Sequence, residues 1–207
     1  MDMEQKSALG DQAYAKALQY ELDYGCCPQC VLATVQETIG IIDDQTVKAS
    51  HGLSGGGLLG EGVCGALTGG LMALSAKYGR DRDKLDSGRH INNFKKAKEL
   101  TERFRQEFGG VTCRQLQQQF TGRTYDMWNA EEYKAFDQAR GQQCARATGT
   151  VTKWVVEMLS CITQERHCRR ALRNSARSCW KQCRSRCSSW RRTAIGFELT
   201  GPILIWH

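Results

Sequence analysis

Residues 52–70 read GLSGGGLLGEGVCGALTGG, and residues 24–32 read YGCCPQCVL. In each stretch a cysteine stands just before apolar residues at helical spacing, so both stretches place thiols at the start of a predicted helix. A helix N-terminus carries unpaired N–H groups and a positive partial charge. We therefore expect these cysteines to ionise readily, and the thiolate is the form that attacks as a nucleophile or binds a metal.

Helical spacing also dominates the rest of the chain. Only two prolines occur, and alternating β-branched residues are scarce, so we predict an all-α fold: a compact multi-helix domain with a glycine-rich loop. The predicted long helices span residues 4–23, 28–40, 64–78, 94–108 and 144–159, and shorter ones begin at Asp43 or Asp44, near Cys113 and at Glu131. In the helix over 94–108, Phe94, Leu100 and Phe104 are expected to face inward.

Six glycines lie within residues 52–62. Ordering such a stretch costs much conformational entropy, so a folded protein keeps it where side chains do not fit. We interpret five glycines as cofactor-binding positions: Gly55, Gly56, Gly57, Gly62 and Gly65. Glycines 55–57, 60 and 62 would let N–H groups approach the sulfurs, and the alternative is that the glycines serve only helix packing. Farther along, Gly65, Gly69 and Ala73 share one helix face, which predicts close contact with another helix of the same chain or of a partner.

The charge is divided unevenly along the chain. Residues 1–160 hold 19 Lys and Arg against 20 Asp and Glu, whereas residues 161–207 hold 10 against 2. We therefore predict a domain over residues 1–160 and a basic tail, rich in Arg, Ser and Cys, over residues 161–207. The domain itself offers no basic surface for nucleic acid.

Two interpretations of the tail remain open. Cys179, Cys183 and Cys187 are four residues apart and would share one helix face, where they could bind zinc together with His167 or Cys168. The composition of the tail also resembles translation in a shifted reading frame, which would give a poorly packed segment.

The chain has 11 cysteines. Its first residues contain no apolar signal segment, and its longest apolar run, residues 63–76, is shorter than the roughly 20 residues that span a bilayer. We therefore expect a cytoplasmic protein without a transmembrane segment. In a reducing compartment, many cysteines favour metal binding or redox chemistry over a disulfide framework.

Four motifs in order point to a known family. Residues 27–32 resemble the C-x-Q-x-V-L opening of that family, and residues 64–69 resemble its Cys-Gly-Ala-x-x-Gly signature. Phe108-Gly109 followed by Cys113 resembles the third cysteine motif, and Cys144 resembles the fourth cysteine. Together they resemble the C_GCAxxG_C_C (CGAxxG-motif) family of redox-active proteins over residues 10–160. The resemblance implies an all-helical domain that gathers Cys27, Cys64, Cys113 and Cys144 into one site. A related domain in split-Soret cytochromes has cysteines of a type able to hold an iron–sulfur cluster.

The leading hypothesis is thus an electron-transfer protein with an iron–sulfur cluster on these four cysteines. Four thiolates suit a cluster or a tetrahedral zinc ion, so a structural zinc module is an alternative. The first ligand could be Cys26, Cys27 or Cys30, because all three lie within five residues. No Cys-x-x-Cys-His motif occurs, so c-type haem is not expected.

The other redox alternative is a thiol–disulfide oxidoreductase without metal. Its catalytic residues would be Cys27, Cys30 and Cys64, with Cys27 attacking and Cys30 resolving. No strand precedes residues 27–30, so a thioredoxin fold is not predicted. Either redox function implies a redox partner protein, and the small-residue face allows a homo-oligomer. Taken singly, Cys113 and Cys144 are better interpreted as buried, inert thiols, whereas the glycine setting of Cys64 favours a function.

Overall fold

The computed structural model describes the backbone of residues 3–174 and the side chains of residues 4–160. Residues up to Ile162 form one compact unit, and the fold described here is that of this unit. The tail sites considered above, at His167, Cys168, Cys179, Cys183 and Cys187, lie outside the residues whose side chains are described.

The described residues are helical, with no strand longer than one isolated bridge between Val63 and Thr112. The α-helices are α1 (Met3–Tyr24), α2 (Cys27–Ile39), α3 (Asp44–Ala49), α4 (Gly65–Tyr78), α5 (Ile91–Phe108), α6 (Cys113–Thr121), α7 (Ala130–Arg140) and α8 (Gln143–Asn174), with 3₁₀ helices at His51–Gly56 and Arg82–Lys84. This confirms the predicted all-α fold.

Local sequence signals set most helix ends. The Asp43 carboxylate accepts a hydrogen bond from the Thr46 N–H and caps α3. Thr112 and Gln115 form a reciprocal capping box at the start of α6. Several helices end at a glycine with positive φ, such as Gly40 at 74° and Gly109 at 74°, a conformation that other residues adopt at a cost.

Helix α4 lies at the centre of the core. It packs against α2 on one side and α5 on another, and α1 covers α2. Leu67 and Leu74 of α4, Leu100 and Phe104 of α5 and Val151 of α8 are fully buried. Gly70 lets these helices approach, because a Cβ atom there would lie 2.6 Å from Val151 Cγ1 and 3.0 Å from Leu100 Cδ2.

The predicted small-residue face of α4 does make a close helix contact, and its partner is α2 of the same chain. A Cβ atom on Gly69 would lie 2.9 Å from the carbonyl oxygen of Pro28 and 3.1 Å from Cβ of Val31. A Cβ atom on Gly65 would lie 2.7 Å from Cδ of Pro28. The two helices therefore touch backbone to backbone at their N-terminal ends.

Some predicted details were wrong. Helix α5 begins at Ile91, and Phe94 near its start is 58% exposed rather than inward. The side chains that meet α4 there are Asn93, which hydrogen-bonds Ser75, and Lys96, which lies over the Tyr78 ring. Part of the glycine-rich loop is a 3₁₀ helix. Helix α8 continues past Leu159 to Asn174.

Among the helices that the structure describes, none has the length and apolar character needed to cross a membrane.

We predict that Gly69→Ala lowers the free energy of unfolding by about 1–3 kcal/mol, the usual cost of overpacking. The added methyl group meets backbone atoms of Pro28, which cannot rotate away. Urea denaturation measures the change. Gly52→Ala is the matched control, because nothing lies within 4 Å of a Cβ atom at Gly52. Equal stabilities for the two variants would contradict the close α2–α4 contact.

Candidate functional site

One cavity is bordered by cysteines from four separate helix starts. Cys27 begins α2, Cys64 is the N-cap of α4, Cys113 begins α6 and Cys144 lies in the first turn of α8. We call this space the four-cysteine cavity. It has a volume of about 20 Å³. Its wall is completed by Gly65, Ala66, Leu116, Gln117, Phe120, Phe136 and Ala147.

The glycine-rich loop brings Cys64 and Cys113 to the same place. The Cys64 N–H donates to the Val111 carbonyl at 2.8 Å, and the Cys113 N–H donates to the Gly62 carbonyl at 3.0 Å. These bonds tie the residues before α4 to the residues before α6. Gly56 packs inside this arrangement, where a Cβ atom would lie 2.7 Å from the Gly62 oxygen and 3.0 Å from Cys113 Cβ.

The close contact of α2 with α4 places Cys27 beside Cys64. The Cys27 Sγ atom lies 3.4 Å from the position of a Cβ on Gly65, the residue directly after Cys64. That distance is ordinary contact, and Gly65 is required instead because a Cβ there would clash with Pro28, the residue directly after Cys27. This is a packing role at the cavity wall.

The other predicted cofactor-binding glycines lie differently. Gly55 and Gly57 have positive φ and nothing within 4 Å of a Cβ position, so they serve the loop conformation. The Gly62 N–H donates to the Gly56 carbonyl at 3.0 Å rather than pointing at a sulfur. The N–H groups that hydrogen-bond the Cys64 sulfur belong to Ala66 and Leu67, in the first turn of α4.

The structure separates the three neighbouring cysteines at the start of α2. Only Cys27 borders the four-cysteine cavity. Cys26 adopts φ 63°, and its thiol faces the His51 carbonyl at 3.8 Å. The Cys30 thiol donates to the Gly25 carbonyl at 2.9 Å. Their thiols therefore point to backbone carbonyls and leave the cavity to Cys27.

The chain matches the model of a known protein family. Residues 25–158 match the model of the family described as "Putative redox-active protein (C_GCAxxG_C_C)". The chain belongs to the C_GCAxxG_C_C family. The matched region contains all four cysteines of the cavity. No curated protein and no solved structure matches the chain.

The thiols that border the cavity are held in their neutral form. Burial raises the pKa of Cys27 well above its ordinary value, and the charges of Glu21, Cys64, Cys144 and Cys113 raise it further. Burial raises the pKa of Cys144 to about 11 against the opposing effect of Arg140. The expectation that helix N-termini make these thiols acidic was therefore wrong, because desolvation outweighs the helix N–H groups.

Two charged residues that the motifs did not indicate, a buried glutamate and a partly buried arginine, stand beside the thiols. Glu21 of α1 is 3% exposed, and its Oε1 atom lies 3.5 Å from Nη1 of Arg140 in α7. Burial raises the pKa of Glu21, while Arg140 and the thiols of Cys30 and Cys27 lower it. Arg140 also hydrogen-bonds Cys144 and Asp137. It is thus the cation that faces the Cys144 sulfur.

A faint sequence signal marks Glu21. Ala13, Ala17 and Glu21 are spaced by four residues and are all buried on the inner face of α1. A carboxylate that continues an apolar helix stripe indicates a buried charge in need of a partner. Nothing comparable in the sequence marks Arg140, whose neighbours in α7 are mostly exposed.

Gln117 is the other polar residue that the motifs missed. Its side chain is 2% exposed, and its Nε2 atom lies 3.8 Å from Cys113 Sγ. Burial raises the pKa of Cys113, and the Gln117 hydrogen bond and the charge of Arg140 lower it.

Among residues 4–160, no three His, Cys, Asp or Glu side chains are arranged to hold a metal ion. The four thiols are therefore neighbours around a cavity, without the geometry of a coordination sphere.

We predict that the metal-free, reduced protein loses stability as the pH rises from about 9 to about 11. The pKa of Cys144 is about 11 when folded, against 9.0 ordinarily, so the unfolded chain releases its thiol proton first. The stabilisation that comes from the neutral Cys144 thiol is therefore complete below about pH 9 and is lost as the pH rises towards about 11. Urea denaturation at each pH measures the change. Cys144→Ala should show a shallower decline, and identical declines in both proteins would contradict the raised pKa.

A second prediction concerns the Glu21–Arg140 pair. Arg140→Gln should lower the free energy of unfolding by about 3–5 kcal/mol, because it leaves a buried carboxylate without its cation. Adding Glu21→Gln should recover most of the loss. The matched control is Arg123→Gln, which breaks the exposed pair with Glu132 and should cost under about 1 kcal/mol. Equal losses for the two arginine variants in urea would refute the importance of the buried pair.

Proposed function

We propose that this protein is an electron carrier whose iron–sulfur cluster is held by Cys27, Cys64, Cys113 and Cys144. The observation that carries the proposal is that these four thiols, from four helix starts, border one cavity. Four cysteine thiolates are the usual ligand set of such clusters. When bound, a cluster supplies uptake and release of single electrons, and the expected partner is another redox protein.

The chemistry of the donor set fits this group. Burial and then the neighbouring thiols raise the pKa of Cys27 and Cys64, so the sulfurs resist ionisation together. A positively charged iron centre would remove that penalty, because a coordinating thiol is deprotonated by its metal. Polar groups already face three of the sulfurs: N–H groups at Cys64, Gln117 at Cys113 and Arg140 at Cys144.

The same pKa directions make the metal-free alternative less favourable. A thiol–disulfide oxidoreductase needs an attacking thiol with a pKa near the ambient pH. Cys27, Cys30 and Cys64 all have raised pKa values, and the Cys30 thiol is already engaged with the Gly25 carbonyl. Zinc has no redox chemistry, so a zinc module would leave the redox character of the family unexplained.

The residues around the sulfurs would exclude water from the electron-transfer site. Leu116, Phe120 and Phe136 form the apolar part of the wall. Phe120 packs edge-on against Phe108 of the core, with 6.3 Å between the ring centroids. An apolar, rigid wall keeps solvent away from the sulfurs and limits rearrangement when their charge changes.

The test is the metal content of the full chain purified without oxygen. We expect iron and acid-labile sulfide, with a visible charge-transfer spectrum, and we expect Cys64→Ser to lose them. Cys30→Ser is the matched control, because Cys30 has the same chemistry but borders no part of the cavity, and it should retain both.

Other results would reject the proposal in distinct ways. Zinc without iron, with helicity lost on chelation, would indicate a structural zinc module. A metal-free protein with a reversible disulfide involving Cys27 would indicate thiol–disulfide exchange. Loss of iron in Cys30→Ser but not in Cys64→Ser would place the ligands elsewhere.

A further inference from the structure

Gln117 is an amide in an otherwise largely apolar wall. Its neighbours along the four-cysteine cavity include Leu116, Phe120 and Phe136, and its own side chain is 2% exposed. Burying an amide costs free energy unless its hydrogen bonds are made. A leucine would fill the space at no such cost, so the amide needs a specific reason to be there.

The orientation of the amide is fixed by the backbone. Gln117 Oε1 accepts a hydrogen bond from the Tyr125 N–H at 2.9 Å, so Nε2 must occupy the other side of the group. That side faces Cys113 Sγ at 3.8 Å. The donor therefore points at the sulfur because the acceptor is held elsewhere, and the assignment does not rest on the weak sulfur contact itself.

A hydrogen-bond donor beside Cys113 stabilises a neutral thiol only weakly. Neutral sulfur is a weak hydrogen-bond acceptor, whereas hydrogen bonds to an ionised acceptor are roughly twice as strong as neutral ones. Hydrogen bonds to cysteine sulfurs are also among the factors that set cluster potentials. The Gln117 contact therefore gains its full strength only when Cys113 carries negative charge.

We propose that Gln117 is a positioning residue that holds the Cys113 sulfur towards the cavity and stabilises negative charge on it. This rests on the proposed function, in which Cys113 is a cluster ligand. The effect on the cluster is a higher reduction potential, because the donor favours the more negative, reduced state.

The same amide links the sulfur to the segment before α7. Tyr125, whose N–H is bonded to Gln117, packs its ring against Phe136 with 5.4 Å between centroids. Phe136 in turn borders the cavity. Gln117 thus contacts the Cys113 sulfur through Nε2. Through Oε1 it holds the backbone of Tyr125, whose ring packs against Phe136 in the cavity wall.

The test compares Gln117→Met and Gln117→Glu in the full chain, purified without oxygen. Methionine removes both hydrogen bonds, while glutamate keeps the acceptor for the Tyr125 N–H and loses the amide donor. With iron content unchanged, we expect the equilibrium constant for one-electron reduction to fall about tenfold, equivalent to about 59 mV. Gln119→Leu, an exposed position on the same helix, should leave the potential unchanged.

Wild-type protein gives a readout that needs no folded variant. With ¹⁵Nε2-labelled glutamine, pulsed EPR of the reduced cluster should detect a coupled ¹⁵N nucleus, and its absence would overturn the proposal. A wild-type potential in either folded variant would also overturn it.

If the chain holds no iron, the proposed function fails, and iodoacetamide labelling of metal-free protein then tests Gln117 alone. Cys113 should react about tenfold more slowly in Gln117→Met, and an unchanged rate would overturn its role.

Discussion

The backbone contact between α2 and α4 is the constraint on which the rest of the site depends. Helices normally approach through side chains, but here Gly65 and Gly69 let Pro28 touch the α4 backbone, at distances where a Cβ atom would clash. Because the contact lies at the N-terminal ends of both helices, it sets Cys27 beside Cys64. The glycines of the family signature are thus explained by steric fit, and the pairing of the first two thiols follows from that fit.

The other half of the site is assembled by backbone hydrogen bonds. The Cys64 N–H reaches Val111 and the Cys113 N–H reaches Gly62, so one short pairing fixes two cysteines that are 49 positions apart in the sequence. This assembly has an electrostatic cost, because burial and mutual proximity both oppose ionisation of the thiols. The polar groups supplied by Gln117 and Arg140 offset part of that cost at two sulfurs.

Sequence reasoning was most successful where local rules decide the structure. The start of a helix at Asp43 or Asp44 and the small-residue face of α4 follow from short-range sterics and hydrogen bonding, and both were found where predicted. The ionisation of the thiols was predicted wrongly, since desolvation depends on the complete tertiary environment and no local pattern reports it. Arg140 and Gln117 were missed although each lies four positions from the cysteine that it affects, because this spacing does not show which side chains the tertiary packing brings beside a thiol.

The four sulfurs are held by two different physical means. Cys64, Cys113 and Cys144 each face a donor, from backbone N–H groups, an amide and a guanidinium. Cys27 faces the Glu21 carboxylate instead, which opposes its ionisation. Its position is set by packing, since Pro28 directly follows it and lies against Gly65 and Gly69 of α4. Donors therefore oppose the cost of ionisation at three of the sulfurs, whereas the α2–α4 contact fixes the position of Cys27 without lowering that cost.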